Sequence, residues 1–344
     1  MKLLRFLLFP IAIMYDLVTT FRNFLFEIDF FKQKRFPIPV IVVGNLSVGG
    51  TGKTPQIEYL IRLLKNKYLI AVLSRGYKRK TKGFIKVTNS HSANEVGDEP
   101  LQFFKKFPEV FVAVDEKRVS GIEQILMHSN TDLVLLDDAY QHRKVTGSFY
   151  LLLTKFDDLF VDDFLLPTGN LRESRRGAER ANAIIVTKCP ENFNENHQKS
   201  IENKLGKYQK PIFLTAISYS KIVKGFSEIL VDDLSNLEVL LVTGIANPSS
   251  LTRFLNDQKI TFQHLEYPDH HQFSTKDIEQ INLQFDAIQN HQKLILTTEK
   301  DYVRLSSDIK SCYYLEIETT FLGNQKQDFD NLLISHIDQF SINS

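Results

Sequence analysis

The stretch "VGNLSVGGTGKTP", residues 43–55, constrains the fold of this chain more than any other. It follows a β-branched run, places four glycines in nine positions and closes on Lys53, Thr54 and Pro55. A strand that enters such a loop and leaves it as a helix is a phosphate cradle. Backbone N–H groups wrap the β-phosphate, the lysine reaches the γ-phosphate and the hydroxyl takes Mg²⁺. Gly52, Lys53 and Thr54 occupy the last places of GxxxxGK[ST], with Ser47 where the first glycine would stand. Gly49, Gly50 and Gly52 permit positive φ and close backbone approach. The helix opening at Lys53 points its N-terminal dipole at the anion. Ser47, Val48, Gly49, Gly50, Thr51, Gly52, Lys53 and Thr54 are therefore the expected nucleotide contacts.

Such a loop needs a parallel sheet around it, and the chain supplies one. Apolar runs at 39–43, 68–73, 110–114, 133–136, 149–153 and 183–186 alternate with helical patterns at 53–67, 100–106, 119–127 and 191–205. The predicted fold is α/β, a P-loop NTPase-like parallel sheet with helices on both faces. A second series, "VLLVTGIANP", "ITFQHLEY", "KLILTTEKD" and "CYYLEIE", predicts a smaller C-terminal α/β domain. Ser, Lys and Gly interrupt the pattern around 216–233, which divides the chain into a core domain at 36–216 and a second domain at 217–344.

Residues 1–35 stand apart. Their apolar run is about half of the roughly 20 residues that a membrane span needs, and Asp16 and Arg22 interrupt the stretch. An aromatic and leucine-rich amphipathic helix flanked by Arg5, Lys32, Lys34 and Arg35 suits either a membrane interface or the protein's own core. With 42 Lys and Arg against 41 Asp and Glu, net charge offers no support for a nucleic-acid partner. Cys189 and Cys312 are far apart and lack metal spacing, and nothing marks a protein partner.

Phosphoryl transfer also needs carboxylates. "TDLVLLDDAYQH" ends an apolar run on Asp137 and Asp138, at the carboxyl end of a strand where ligands bind in open sheets. A metal site and a helix cap both fit such a pair. In "EVGDEP", Pro100 suits the first helical position and leaves Asp98 and Glu99 at the helix mouth. Asp98 serves either as a cap or as the base for an acceptor hydroxyl.

Read from Val48, "VGGTGKT" resembles the deviant loop "KGGxGK[ST]" of membrane-partitioning ATPases, with valine in place of their extra lysine. A membrane-associated regulatory ATPase of that type is thus the alternative reading. A wider set of blocks resembles the tetraacyldisaccharide 4'-kinase (lipid A 4'-kinase) family: "FPIPVIVVGNLSVGGTGKTP", "LSRGY", "GDEP", "LLDDAYQH", "LLPTGNLRES", "RANAIIVTK", "VTGIANP", "YPDHHQFS" and "LTTEKDYVRL". That resemblance implies transfer of the γ-phosphate of ATP, with Mg²⁺, to the 4'-hydroxyl of an acylated glucosamine disaccharide 1-phosphate in lipid A biosynthesis. It places the reaction at the cytoplasmic face of the inner membrane, with the N-terminal helix on the membrane surface.

Carried over by position, Lys53 and Thr54 match the nucleotide and Mg²⁺ contacts, and Asp137 and Asp138 the acidic metal site, joined by Glu99. Asp98 matches the catalytic carboxylate, assisted by a second-domain histidine that corresponds to His270 rather than His271. Tyr77, Arg172 and Glu173 fall where the family binds sugar and 1-phosphate, and Arg175, Arg176 and Arg180 extend that surface or form a solvated charge run. The chain departs from the pattern at Lys78, Ala139 and Ala246, where the family carries glycine.

Overall fold

The apolar runs become strands because their branched and leucine side chains are covered on both faces, as a helix-clad parallel sheet requires. The computed structural model describes residues 5–305, 309 and 311–343, so residues 1–4 of the expected N-terminal segment lie outside the described residues. The first series forms β1 (Val40–Asn45), β2 (Ile70–Ser74), β3 (Ile85–Lys86), β4 (Phe111–Val114), β5 (Leu133–Asp137), β6 (Phe149–Lys155) and β7 (Ala183–Thr187). Of these, β1, β2, β5 and β7 are buried at every position. β1 lies between β5 and β6, all parallel, with Val43 opposite Asp137. That register sets the carboxyl ends of β1 and β5 side by side.

The helices of this half are α1 (Phe9–Glu27), α2 (Lys53–Leu64), α3 (Ala93–Val96), α4 (Asp98–Lys106), α5 (Arg118–His128) and α6 (Glu195–Leu205). α2 buries Ile57, Leu60, Ile61 and Leu64 in the same core as Ile41 and Val43 of β1, the spacing of one helix face. α4 begins two residues before the expected start. Asp98 and Glu99 are its first helical residues and Pro100 its third, still within the first turn, where amides have no partner inside the helix.

The second series forms β8 (Ile212–Lys224), β9 (Glu228–Leu230), β10 (Glu238–Thr243), β11 (Phe262–Glu266), β12 (Lys293–Thr298) and β13 (Cys312–Phe321), with α7 (Ser249–Asp257), α8 (Thr275–Ala287) and α9 (Glu299–Tyr302). One sheet continues across both halves in the order β11-β10-β12-β13-β8-β7-β6-β1-β5-β2-β4-β3, and β9 pairs with β8. The start of β8 is parallel to β7, and the rest runs antiparallel to β13. The junction expected near 217 thus falls inside a strand. Ser218, Ser220 and Lys221 are tolerated there because an antiparallel ribbon can leave one face to solvent. After β13, helix α10 (Gln325–Asn343) returns to the first half and buries Phe329, Leu333 and Ile337 in its core.

Helix α1 inverts the usual arrangement. It buries only Ala12 and Phe26, while Met14, Leu17, Val18 and Phe21, spaced as one helical stripe, face solvent. Its polar side chains point inward instead. Tyr15 Oη donates to the Arg172 carbonyl (2.8 Å), Arg22 to that of Gln141 (3.0 Å) and Asn23 to Glu173 Oε2 (3.2 Å). Among the described residues no helix is long and apolar enough to cross a membrane.

Candidate active site

The loop between β1 and α2 has the conformation its glycines allow. Gly49 and Gly52 adopt φ of +101° and +80°, whereas Gly50 lies outside the left-handed region. A Cβ on Gly49 or Gly50 would meet no protein atom within 4 Å, so the cradle is open at both. Lys188 Nζ donates to the Gly50 carbonyl and Thr187 Oγ1 to that of Thr51, both at 2.9 Å. These contacts from the end of β7 occupy two carbonyl acceptors of the loop. On the other side the loop is pinned to residues 170–172, through Val48 N to the Asn170 carbonyl (2.8 Å) and Arg172 N to that of Leu46 (2.7 Å).

Lys53 opens α2 and reaches back to Asn45 Oδ1 at 3.2 Å and Asp138 Oδ1 at 3.4 Å. Arg172 converges on the same two residues, with Nη2 bonded to Asn45 Oδ1 and 2.9 Å from Asp138 Oδ1. Burial works against ionisation of Asp138, but Lys53 and Arg172 outweigh it and hold the carboxyl at about 2. Asp137 faces the opposite balance. Its Oδ2 accepts from Ser74 Oγ (2.9 Å), and it forms no ion pair among the described residues. Burial, with Asp138 and Glu99 nearby, pushes it up to about 6. Asp138 itself takes the positive φ, +46°, so alanine is accommodated at 139 without left-handed strain. Behind the pair, buried Arg118 donates to the carbonyls of Asp115 and Asp137.

A second cluster forms where the two halves meet. Asp98, at the start of α4, accepts at Oδ2 from His270 Nδ1 (3.0 Å) and from Arg304 Nη2 (2.5 Å). His270 sits in the "YPDHHQFS" loop at φ +60°, with its amide bonded to the Gly244 carbonyl at 3.1 Å. Burial raises the Asp98 pKa, but His270 and Arg304 reverse that effect and bring it down to about 2. The structure thus joins Asp98 to His270. His271 turns elsewhere, to Asp277 (3.1 Å). The exposed ring of Tyr77 lies edge-on to His270, 5.6 Å between centroids. Gly76 and Gly97 let the backbone before Tyr77 pack closely against the start of α4. Both have positive φ, and a Cβ on Gly97 would lie 3.1 Å from Gly76 Cα.

The remaining expected contacts divide. Arg172 faces the loop and Asp138. Glu173 is buried, and its oxygens accept from Arg180, Gln141 and Asn23. Of the three arginines that follow, Arg180 and Arg175 are engaged internally, Arg180 with Glu173 and Arg175 with the Asp163 carbonyl (2.6 Å), whereas Arg176 is exposed. Nothing in the sequence alone singles out Asn45, Ser74, Arg118, Lys300 and Arg304. Lys300 and Arg304 lie in the quoted block "LTTEKDYVRL", so the signal was present without a role attached to it.

Comparison with known proteins bears directly on this arrangement. The family model for tetraacyldisaccharide-1-P 4'-kinase matches residues 4–338. The chain belongs to this family. It is 51% identical to the tetraacyldisaccharide 4'-kinase of Flavobacterium johnsoniae over 98% of both chains, and 50% identical to that of Flavobacterium psychrophilum over the whole of both. The similarity extends to a crystal structure of Aquifex aeolicus LpxK in complex with ATP, with a TM-score of 0.79 and 31% identity over 97% of this chain and 99% of that one. A tetraacyldisaccharide 4'-kinase therefore provides the frame for the site.

Proposed function

We propose that the chain phosphorylates the 4'-hydroxyl of a tetraacyldisaccharide 1-phosphate from ATP in lipid A biosynthesis, with Asp98 and His270 serving the acceptor and residues 47–54 the nucleotide. The observation that carries this reading is the 3.0 Å contact between Asp98 of the first half and His270 of the second. An ATPase that only cycles its conformation has no use for a buried acid–histidine pair outside its phosphate loop.

The loop amides and Lys53 stabilise charge on the transferring phosphoryl group. As the acceptor oxygen bonds to the γ-phosphorus and the β–γ bridging bond breaks, the hydroxyl proton passes to Asp98. A carboxylate held at about 2 is a weak base in the ground state. Its role is to orient the hydroxyl and accept the proton late, which suits a loose transition state. His270 and Arg304 keep it ionised for that purpose. His270 comes from the second half, so the pair depends on how the two halves pack against each other.

The acids fit Mg²⁺ in a particular way. Among the described residues no three His, Cys, Asp or Glu converge as a ready-made metal cage, and Mg²⁺ is commonly held by one or two carboxylates plus phosphate oxygens and water. Asp137 has hard oxygen donors and no ion pair among the described residues, so it is the favoured ligand, with Thr54 alongside. Glu99 and Asp138 complete the acidic surround, Asp138 being shared with Lys53 and Arg172. When bound, Mg²⁺ would supply positive charge that offsets the negative charge of the phosphate groups.

The outward apolar stripe of α1 supports peripheral docking on a membrane surface, which in this reading is the cytoplasmic face of the inner membrane. The helix's inner side bonds to Arg172 and Glu173, so the membrane face adjoins the Arg172–Asp138 side of the site. Incubation with labelled ATP and acylated glucosamine disaccharide 1-phosphate should place label in the lipid, and Asp98→Asn should remove it while ATP binding persists. Label appearing only as free phosphate would favour the ATPase.

A further inference from the structure

The block "LTTEKDYVRL" holds both members of the Asp98–His270 pair. At the end of β12, Thr298 Oγ1 donates to Asp301 Oδ2 (2.7 Å) and accepts from the Asp301 amide (3.1 Å). Fully buried Asp301 also accepts from the Gly244 amide (2.9 Å) and Arg304 Nη1 (3.0 Å). The short helix α9 and the turn after it are thereby a fixed platform, and three side chains reach out from this segment. Lys300 Nζ donates to His270 Nε2 at 3.0 Å. Arg304 Nη2 donates to Asp98 Oδ2. Glu299 Oε2 accepts from Lys106 Nζ at 2.8 Å. Since α4 runs from Asp98 to Lys106, this segment grips that helix at both ends.

The donors define the state of the imidazole. An ammonium has no lone pair, so Nε2 must accept from Lys300 and Nδ1 must carry the hydrogen. That hydrogen faces Asp98 Oδ2. Arg304 Nη2 lies 3.2 Å from Nδ1 and donates to the same carboxylate oxygen. Both donors therefore share Oδ2, while Oδ1 accepts no hydrogen bond among the described residues.

We propose that Lys300 and Arg304 are positioning residues for the transfer. Lys300 selects the tautomer and orientation of His270, and Arg304 anchors Oδ2, so that Oδ1 is presented to the acceptor hydroxyl. The proposal rests on the reading of Asp98 and His270 as the acceptor-side pair.

The test is a mutant cycle on the full-length protein with lipid acceptor. Lys300 is partly exposed, so Lys300→Met leaves no core cavity. It should lower kcat about 10- to 100-fold, the scale of a small misplacement, with KM for ATP unchanged. Lys300→Arg should restore most of the loss, because a guanidinium can also donate to Nε2. In a His270→Ala background, Lys300→Met should have no further effect, since residues acting through one another are non-additive. Arg304→Lys should show the same pattern against Asp98→Asn. Unchanged kcat in Lys300→Met, or an equal loss with and without His270, overturns the proposal. Full activity in Asp98→Asn would instead overturn the reading beneath it, so the two failures are distinguishable.

Discussion

The outward face of α1 offers a test in which membrane binding and folding separate. Leu17 is 66% and Phe21 62% exposed, so roughly two thirds of each side chain can still leave water. Full burial of such a side chain is worth about 1.5–3 kcal/mol, so each has about 1–2 kcal/mol left to gain in a bilayer. Leu17→Ser with Phe21→Ser should therefore remove about 2–4 kcal/mol of membrane affinity, a roughly 30- to 700-fold fall in partitioning. The folded protein in solution should lose little, because neither side chain contributes much buried area. Co-sedimentation with vesicles gives the partition coefficient, and thermal unfolding without vesicles gives the control. Phosphorylation of acceptor embedded in vesicles should fall with binding, while residual ATP hydrolysis is retained. Unchanged partitioning would refute the reasoning. So would a drop in Tm large enough to account for the loss, since the stripe would then be serving the fold.

Three further outcomes follow from the site and its surroundings. Asp98→Asn should reduce lipid phosphorylation about 10²- to 10⁴-fold, the usual contribution of a positioned acid–base group, with nucleotide affinity retained by equilibrium titration. Lys53→Met should cost about 10²- to 10³-fold in turnover through loss of one charge-stabilising donor. Asp138 still has Arg172 in that variant, so far-UV circular dichroism should be unchanged. The third concerns pH. Lys106 lies 2.8 Å from Glu58, 2.8 Å from Glu299 and 3.3 Å from Glu316. One ammonium cannot serve three buried carboxylates equally, and burial with Glu58 nearby raises Glu299 from 4.5 to about 7. Between those values the native state binds more protons than the unfolded chain, so stability should fall as pH rises through that window. The loss is roughly 2–4 kcal/mol by pH 8. Urea unfolding midpoints across pH 5–8 should show the decline, and Glu299→Gln should flatten it.

Much of the molecule was legible because it is local or periodic. The phosphate loop is one contiguous stretch whose conformation follows from its own glycines and the helix after it. Runs such as "PVIVVG" and "LVLLDD" read as buried strands because both of their faces are apolar. Other features resisted for identifiable reasons. A domain break is expected near 217 because residues such as Ser218, Ser220 and Lys221 interrupt the apolar pattern, yet an antiparallel ribbon needs no second buried face. Helix α10 looked like part of the second domain because chain order suggests it, whereas Phe329, Leu333 and Ile337 find their partners in the first core.

The sequence by itself determined the cradle, the acids at the strand ends and the family blocks that give the phosphate a destination. Only the tertiary structure decided that Arg172 faces Asp138, that Glu173 is saturated by internal donors, and that Arg304 and Lys300 complete the Asp98–His270 pair. Asp98 lies 172 residues from His270 and 206 from Arg304. No local propensity or period spans such separations. They are brought together only by the packing of α4 against the second half of the sheet.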